Sequence, residues 1–253
     1  MALLEAKNLT KHFGGLAAVN RVDLAVEEGE IVGLIGPNGA GKTTYFNLLS
    51  GFLPPTAGTI TFGGENITGL KPYHIVAHGL VRTFQLTTLF QDMTVLQNVL
   101  MGLHLHSRKG LGHVLCSRQA FPRDEIQRCH EVLEFTGLIE LADQLAKNLP
   151  HGHQRILGIA MALAVRPRLL MLDEPVTGMN IDESQRVMHL VKTIRERGTT
   201  ILLVEHNMRA VMGTCERIVV LNFGQKLAEG TPVDVSGNPD VIAAYLGTGV
   251  THA

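Results

Sequence analysis

Apolar residues in this chain fall into short unbroken runs separated by amphipathic stretches, and that alternation predicts the architecture. Ile31-Val32-Gly33-Leu34-Ile35, Leu169-Leu170-Met171-Leu172 and Thr200-Ile201-Leu202-Leu203-Val204 contain no regularly spaced polar positions. Runs of that length suit strands of a parallel sheet, which are buried on both faces. Between them, Leu96, Val99, Leu100 and Leu103 recur at helical spacing. A second helix runs from Asp124 to Phe135, with Ile126, Cys129 and Leu133 inward and Gly137 as its stop. A third spans Asp182 to Arg197, with Val187, Leu190, Val191 and Ile194 inward. Its acids lie in the first turn, its bases in the last, and Gly198 follows. Leu149 to Arg155 opens another helix, with Pro150 suited to its first turn.

The first thirty residues read differently. Leu3 to Leu9 and the roughly alternating Ala17 to Val26 are strands, and Thr59 to Phe62 with Ile67 continue a strand pair. Tyr73 to Gly79 is a short helix, and Val81 to Gln85 a strand ending in a polar residue. Ile218 to Leu221 and Gln225 to Ala228 form a last hairpin turned by Asn222-Phe223-Gly224, and a helix near Asp240 to Leu246 closes the chain. The expected class is α/β, a mostly parallel sheet with helices on both faces.

The first apolar run leads into Gly36-Pro37-Asn38-Gly39-Ala40-Gly41-Lys42-Thr43-Thr44, the strand-to-helix phosphate loop. Its glycines allow a tight turn whose N–H groups point at a triphosphate, and the helix from Thr43 to about Leu49 aims its positive end there. Lys42 would reach the β- and γ-phosphates, and the Thr43 hydroxyl would sit on magnesium. The run at Leu169 ends in Asp173-Glu174-Pro175, where parallel sheets bind ligands. Asp173 would hold Mg2+ opposite Thr43, and Glu174 would polarise the attacking water. Gln85 and His206, also at strand ends, are candidates to orient that water and to hydrogen-bond the γ-phosphate. Phe13, beside Gly14-Gly15, either stacks on a purine or caps a sheet edge.

Composition narrows the choice. A formal charge of −1 over 253 residues, no Trp and 5% aromatics leave neither a field nor a stacking platform for nucleic acid. Three cysteines, Cys116, Cys129 and Cys215, lack metal spacing and suit buried reduced thiols. No stretch approaches the ~18 apolar residues of a spanning helix, and the start is no signal peptide, so a soluble cytoplasmic protein is expected. Met93 to Arg123 contains no acid but several bases and histidines. It is either a core helix followed by a solvated basic loop, or a surface for a partner or for anionic lipid heads close to a membrane.

With these motifs in this order, the chain resembles the ATP-binding subunit of ATP-binding-cassette (ABC) transporters over nearly its whole length. The resemblance makes Gly36 to Thr44 the Walker A loop, Leu169 to Asp173 the Walker B strand and Glu174 the catalytic glutamate. It makes Gln85 the Q-loop glutamine, a further magnesium contact, His206 the switch histidine and Phe13 the adenine-stacking aromatic. Arg82-Thr83-Phe84-Gln85, Gly178-Met179-Asn180, Val204 to Met208 and Leu221 to Pro232 are similar to the larger-type ATPase of branched-chain amino acid importers.

The fold this implies is a P-loop NTPase forming a single domain. An antiparallel β subdomain and nucleotide core occupy 1–87 and 166–253, with a helical subdomain inserted at 88–165. The function implied is ATP hydrolysis powering branched-chain amino acid import. Relatives of the group serve urea, amides and other amino acids, and an exporter-type or a non-transport ATPase is a remoter alternative. The implied partners are a second ATPase subunit, two membrane permeases and, indirectly, an extracytoplasmic solute-binding protein, with the chain peripheral on the cytoplasmic face of the inner membrane. Each ATP would lie between one subunit's phosphate loop and the other's signature helix, through Gly152. That signature departs from its usual form, with Pro150, His151 and His153 replacing serine, glycine and glutamine, and Asn180 replaces the D-loop aspartate.

Overall fold

The computed structural model describes residues 2–83, 89–105 and 121–246. Two sheets form it. A six-stranded sheet has the order β10-β9-β3-β8-β7-β6, from Gln225–Gly230 (β10), Arg217–Asn222 (β9), Ile31–Ile35 (β3), Thr200–Val204 (β8), Leu169–Asp173 (β7) and Leu80–Arg82 (β6). All neighbours are parallel except the β9–β10 hairpin. The unbroken apolar runs follow from this position, since successive side chains enter cores on opposite faces. Val32, Leu34, Met171, Leu202 and Val204 face one core. Ile31, Ile35, Leu172, Ile201 and Leu203 face the other.

The first core is shared with a smaller antiparallel sheet of Ala2–Phe13 (β1), Leu16–Glu27 (β2), Ala57–Phe62 (β4) and Glu65–Asn66 (β5), in the order β2-β1-β4-β5. Both long strands exceed their expected bounds. The first strand is expected to end at Leu9, before the polar Thr10, Lys11 and His12, yet Lys11 and His12 pair with Val19 and Ala17. Helix α1 (Lys42–Leu49) packs its Tyr45, Phe46, Leu48 and Leu49 into this same core. Two short helices also join the frame, α2 (Pro72–Ala77) and, later, α7 (Met208–Met212).

The second core is covered by α6 (Ile181–Glu196), through Val187, Met188, Val191 and Ile194. A third core gathers residues 89–164 alone. It joins α3 (Val95–Leu105), α4 (Arg123–Phe135) and α5 (His151–Leu163) through Val99, Leu100, Cys129, Leu133, Leu157 and Ala160. Gly102 lets α3 approach α5, since a Cβ there would lie 2.9 Å from the Met161 carbonyl. The chain ends in α8 (Pro232–Ser236) and α9 (Pro239–Leu246). Among the described residues, no helix is long and apolar enough to cross a membrane.

Cys129 and Cys215 are buried, as small apolar residues would be, and Cys116 lies outside the described residues. Burial pushes the Cys129 thiol up from 9.0 to about 11 and the Cys215 thiol to about 12. Unfolded thiols ionise near pH 9 while the folded ones keep their protons, so stability should fall as pH rises from 9 toward 11. At pH 8 neither should react with a thiol reagent until denaturant is added. Labelling of Cys129 or Cys215 in the native protein at the rate of the denatured one would contradict this burial.

Candidate active site

The phosphate loop joins β3 to α1, and its geometry demands its glycines. Gly41 occupies the N-cap at φ 100°, and a Cβ there would meet the Ala18 carbonyl oxygen at 2.5 Å. A Cβ on Gly36 would meet the Leu221 carbonyl oxygen at 2.2 Å. Helix α1 has no side-chain cap and no acid in its first turn, which leaves its N-terminal N–H groups for an anion. Lys42 is buried and donates to the carbonyls of Gly36 at 2.6 Å and Pro37 at 3.0 Å. An ammonium has three N–H donors, so one remains for a phosphate oxygen. Burial holds the Lys42 pKa below the usual lysine value, and the carboxylate of Glu174 opposes that shift. Asn38 to Thr44 line a cavity of about 330 Å³, together with Leu16, Glu174 and Phe223. A larger cleft of about 440 Å³ lies between α6 and α7, but it contains no carboxylate and no part of the phosphate loop.

The acids arrive at the same edge from β7. Glu174, the first residue beyond it, has φ +48°, a conformation that side-chain-bearing residues avoid. Its N–H donates to the Val204 carbonyl at 2.9 Å, which pins it to β8. One carboxylate oxygen accepts from the Thr177 hydroxyl at 3.2 Å, and the other lies 3.6 Å from His206 Nδ1. Asp173, at the end of β7, is buried. Its Oδ2 accepts from the equally buried Arg82 guanidinium at 2.7 Å. Arg82 also donates to Asn47 Oδ1 at 2.6 Å and Ser50 Oγ at 3.1 Å, so it clamps the far end of the phosphate-loop helix to the acid strand.

Glu205 sets the two loops that flank the site. Fully buried between them, it accepts N–H bonds from Val176 at 3.0 Å, His206 at 3.0 Å and Asn207 at 3.2 Å. Its position therefore couples the loop after Glu174 to the loop that bears His206. Glu205→Ala leaves three inward N–H groups without their acceptor and should cost roughly 3 kcal/mol of stability. Denaturant titration checks this, and a loss below about 1 kcal/mol would show that the carboxylate is replaceable by solvent.

Sequence reasoning named Lys42, Thr43, Thr44, Asp173, Glu174 and His206, and the fold brings all of them to the carboxyl edge of the large sheet. Gln85 lies outside the described residues, and β6 stops at Arg82, short of the expected strand end. Phe13 ends β1, half-exposed, paired with Leu16 and with the Lys11 ammonium 5.4 Å from its ring centre. Gly152 lies in the first turn of α5, buried against the Glu183 carboxylate of α6. Pro150 takes the N-cap of α5 without a side-chain cap. Asn180 caps α6 in a reciprocal pair with Glu183, a role that asparagine fills as well as aspartate. Sequence reasoning gave no role to Arg82, Glu205 or Arg155. Burial lowers the pKa of Arg155, and the carboxylates of Glu174, Glu205 and Asp173 oppose that shift.

A phosphate loop, an uncapped helix and a strained carboxylate opening on one cavity define a nucleoside triphosphatase of the P-loop class. Comparison with known proteins then names the family. Residues 19–177 match the ABC transporter family, and residues 225–251 match the branched-chain amino acid ATP-binding cassette transporter family. The chain is 48% identical over 249 residues to the high-affinity branched-chain amino acid transport ATP-binding protein LivG of Salmonella typhimurium, covering 97% of this chain and 98% of that one. It superposes with a TM-score of 0.90 on an ABC transporter cassette crystallised in its ADP conformation, at 30% identity, covering 98% of this chain and 99% of the other. A dimeric cassette in a post-hydrolysis state with ADP and phosphate gives a TM-score of 0.76 at 27% identity, covering 90% of this chain and 98% of that one. The chain belongs to the ABC transporter ATP-binding family, in its branched-chain amino acid transport group, and it binds and hydrolyses ATP.

Proposed function

We propose that this chain is the ATPase subunit of a branched-chain amino acid importer. It would work as a dimer docked on two membrane permeases, at the cytoplasmic face of the inner membrane. A solute-binding protein outside would deliver the amino acid to the permeases. The near full-length likeness to LivG supports the solute class.

One observation carries the chemistry: Glu174 is held at a strained φ between Thr177 and His206, on the cavity of the phosphate loop. The loop N–H groups and Lys42 hold the β- and γ-phosphates. Glu174 takes a proton from the attacking water, and His206 hydrogen-bonds the γ-phosphate as charge builds on it. Phe13 stacks on the adenine, and Gln85, which lies outside the described residues, is the remaining candidate to orient the water and contact the metal. Magnesium suits the donors available. Arg82 occupies one oxygen of Asp173 and leaves the other, and Thr43 is exposed. Few protein oxygens plus water and phosphate is how Mg2+ is usually bound, and there it neutralises charge on the phosphates.

The γ-phosphate site is completed by a second subunit, through the uncapped N-terminus of α5 at Gly152. Three features support this: Pro150 gives no side-chain cap, no acid lies in the first turn, and a related cassette is dimeric with ADP and phosphate. A shared site makes hydrolysis second order in dilute subunit. Specific activity of the isolated chain should therefore rise with its concentration until the dimer saturates. Constant specific activity down to a verified monomer would refute the shared site. Reconstitution with the permeases in vesicles tests the solute: ATP should drive leucine uptake, and failure with leucine but success with urea would reassign it.

A further inference from the structure

The β9–β10 hairpin carries a conformation that stability does not explain. Asn222 pairs with Gln225, so Phe223 and Gly224 form the whole turn, with φ of 45° and 75°. Turns of two residues with positive φ favour Asn or Gly at the first position, because both tolerate left-handed backbone. Phenylalanine there is disfavoured twice, since its backbone is strained and the residue is 85% exposed. Residues kept in such conformations concentrate at ligand sites.

The position of the turn points to which ligand. The Gly224 N–H donates to the Ala40 carbonyl of the phosphate loop at 3.0 Å, and its carbonyl accepts from Asn20 N–H at 2.7 Å. A Cβ on Gly224 would lie 2.8 Å from the Ala18 carbonyl oxygen, so the turn sits close against β2. Phe223 is thereby fixed beside the phosphate loop, independently of any side-chain packing. The cavity there is polar where Lys42, Thr43 and Thr44 line it and apolar where Leu16 and Phe223 do. Phe13, the aromatic singled out from the sequence, flanks that wall through its strand partner Leu16.

We propose that Phe223 contacts the nucleobase of bound ATP, as an apolar wall additional to the hairpin of Phe13 and Leu16. The proposal rests on the ATP site described above: phosphates on Lys42 leave the base at the apolar end. A base presents a flat π-face to an aromatic ring whatever its edge groups, so Phe223 adds affinity without selecting adenine over guanine.

Calorimetry on the intact chain, with ATP and with inorganic tripolyphosphate, tests this. Phe223→Ala should weaken ATP about tenfold and leave tripolyphosphate unchanged, while Phe223→Tyr stays within about twofold of wild type for both. Phe223→Gly should lose ATP affinity as alanine does while its melting temperature holds or rises, because glycine relieves the positive φ. Unchanged ATP affinity in Phe223→Ala would overturn the proposal. So would an equal loss for both ligands, which would make the turn a support of the phosphate loop only. Lys42→Ala keeps the two questions apart, because it should lose both ligands whatever Phe223 does.

Discussion

Glu174→Gln is expected to leave ATP bound and nearly stop its hydrolysis. The substitution keeps the shape of the side chain, and an amide can still accept from the Thr177 hydroxyl and face His206, so the loop should stay in place. The backbone is unaffected, because glutamine meets the same left-handed strain at φ +48° as glutamate does. What disappears is the capacity to take a proton from water. A positioned general base contributes about 10²- to 10⁴-fold, so single-turnover hydrolysis should slow by at least about a hundredfold. The ATP dissociation constant should stay near wild type or fall, since the removed charge repelled the γ-phosphate. A rate within about threefold of wild type would place the base elsewhere, with His206 the next group to test. His206→Ala should cost less, because His206 assists charge already held by Lys42 and the loop N–H groups.

The parts of this site that could be read from the sequence are those with a local signature. The phosphate loop combines glycines, Lys42 and Thr43 at fixed spacing because backbone geometry requires each one at its place. Asp173 and Glu174 stood out because they follow an unbroken apolar run, and a two-faced buried strand has to end at a sheet edge. Glu205 had no such signature. It follows β8 as Glu174 follows β7, and only the third dimension shows it turned inward onto the N–H groups of Val176, His206 and Asn207. Helix α8 was legible in principle, since Thr231 and Asp234 form a capping box around Pro232. Its periodicity gives no signal, because a helix of one turn leaves no apolar period. Phe223 reads only as part of the hairpin turn, since the sign of φ cannot be read from composition.

Arg82 shows the same limit at larger scale, and it leads to the second large effect. It donates to Asn47, Ser50 and Asp173, and Asp173 is 91 residues away in sequence, so no window of sequence could connect them. Arg82 and Asp173 are both nearly dry, with side chains 8% and 5% exposed, and two aromatic rings, Phe46 and Phe52, flank the guanidinium at 5.5 and 5.7 Å. A buried pair adds little compared with an apolar pair of the same shape, but removing one member strands the other charge. Arg82→Met should therefore cost about 3–5 kcal/mol. For a chain of this size that lowers the melting temperature by roughly 10 °C. Arg82→Lys should fall between, because one ammonium cannot reproduce the planar fork that reaches three acceptors on two elements. Activity gives a second readout. With Oδ2 of Asp173 released, the carboxylate can turn, and the magnesium concentration for half-maximal hydrolysis should rise even in protein that remains folded. An Arg82→Met variant melting within about 2 °C of wild type would mean that the charge of Asp173 is relieved some other way. A lower melting temperature with an unchanged magnesium requirement would make Arg82 a clamp on α1 with no hold over the metal carboxylate.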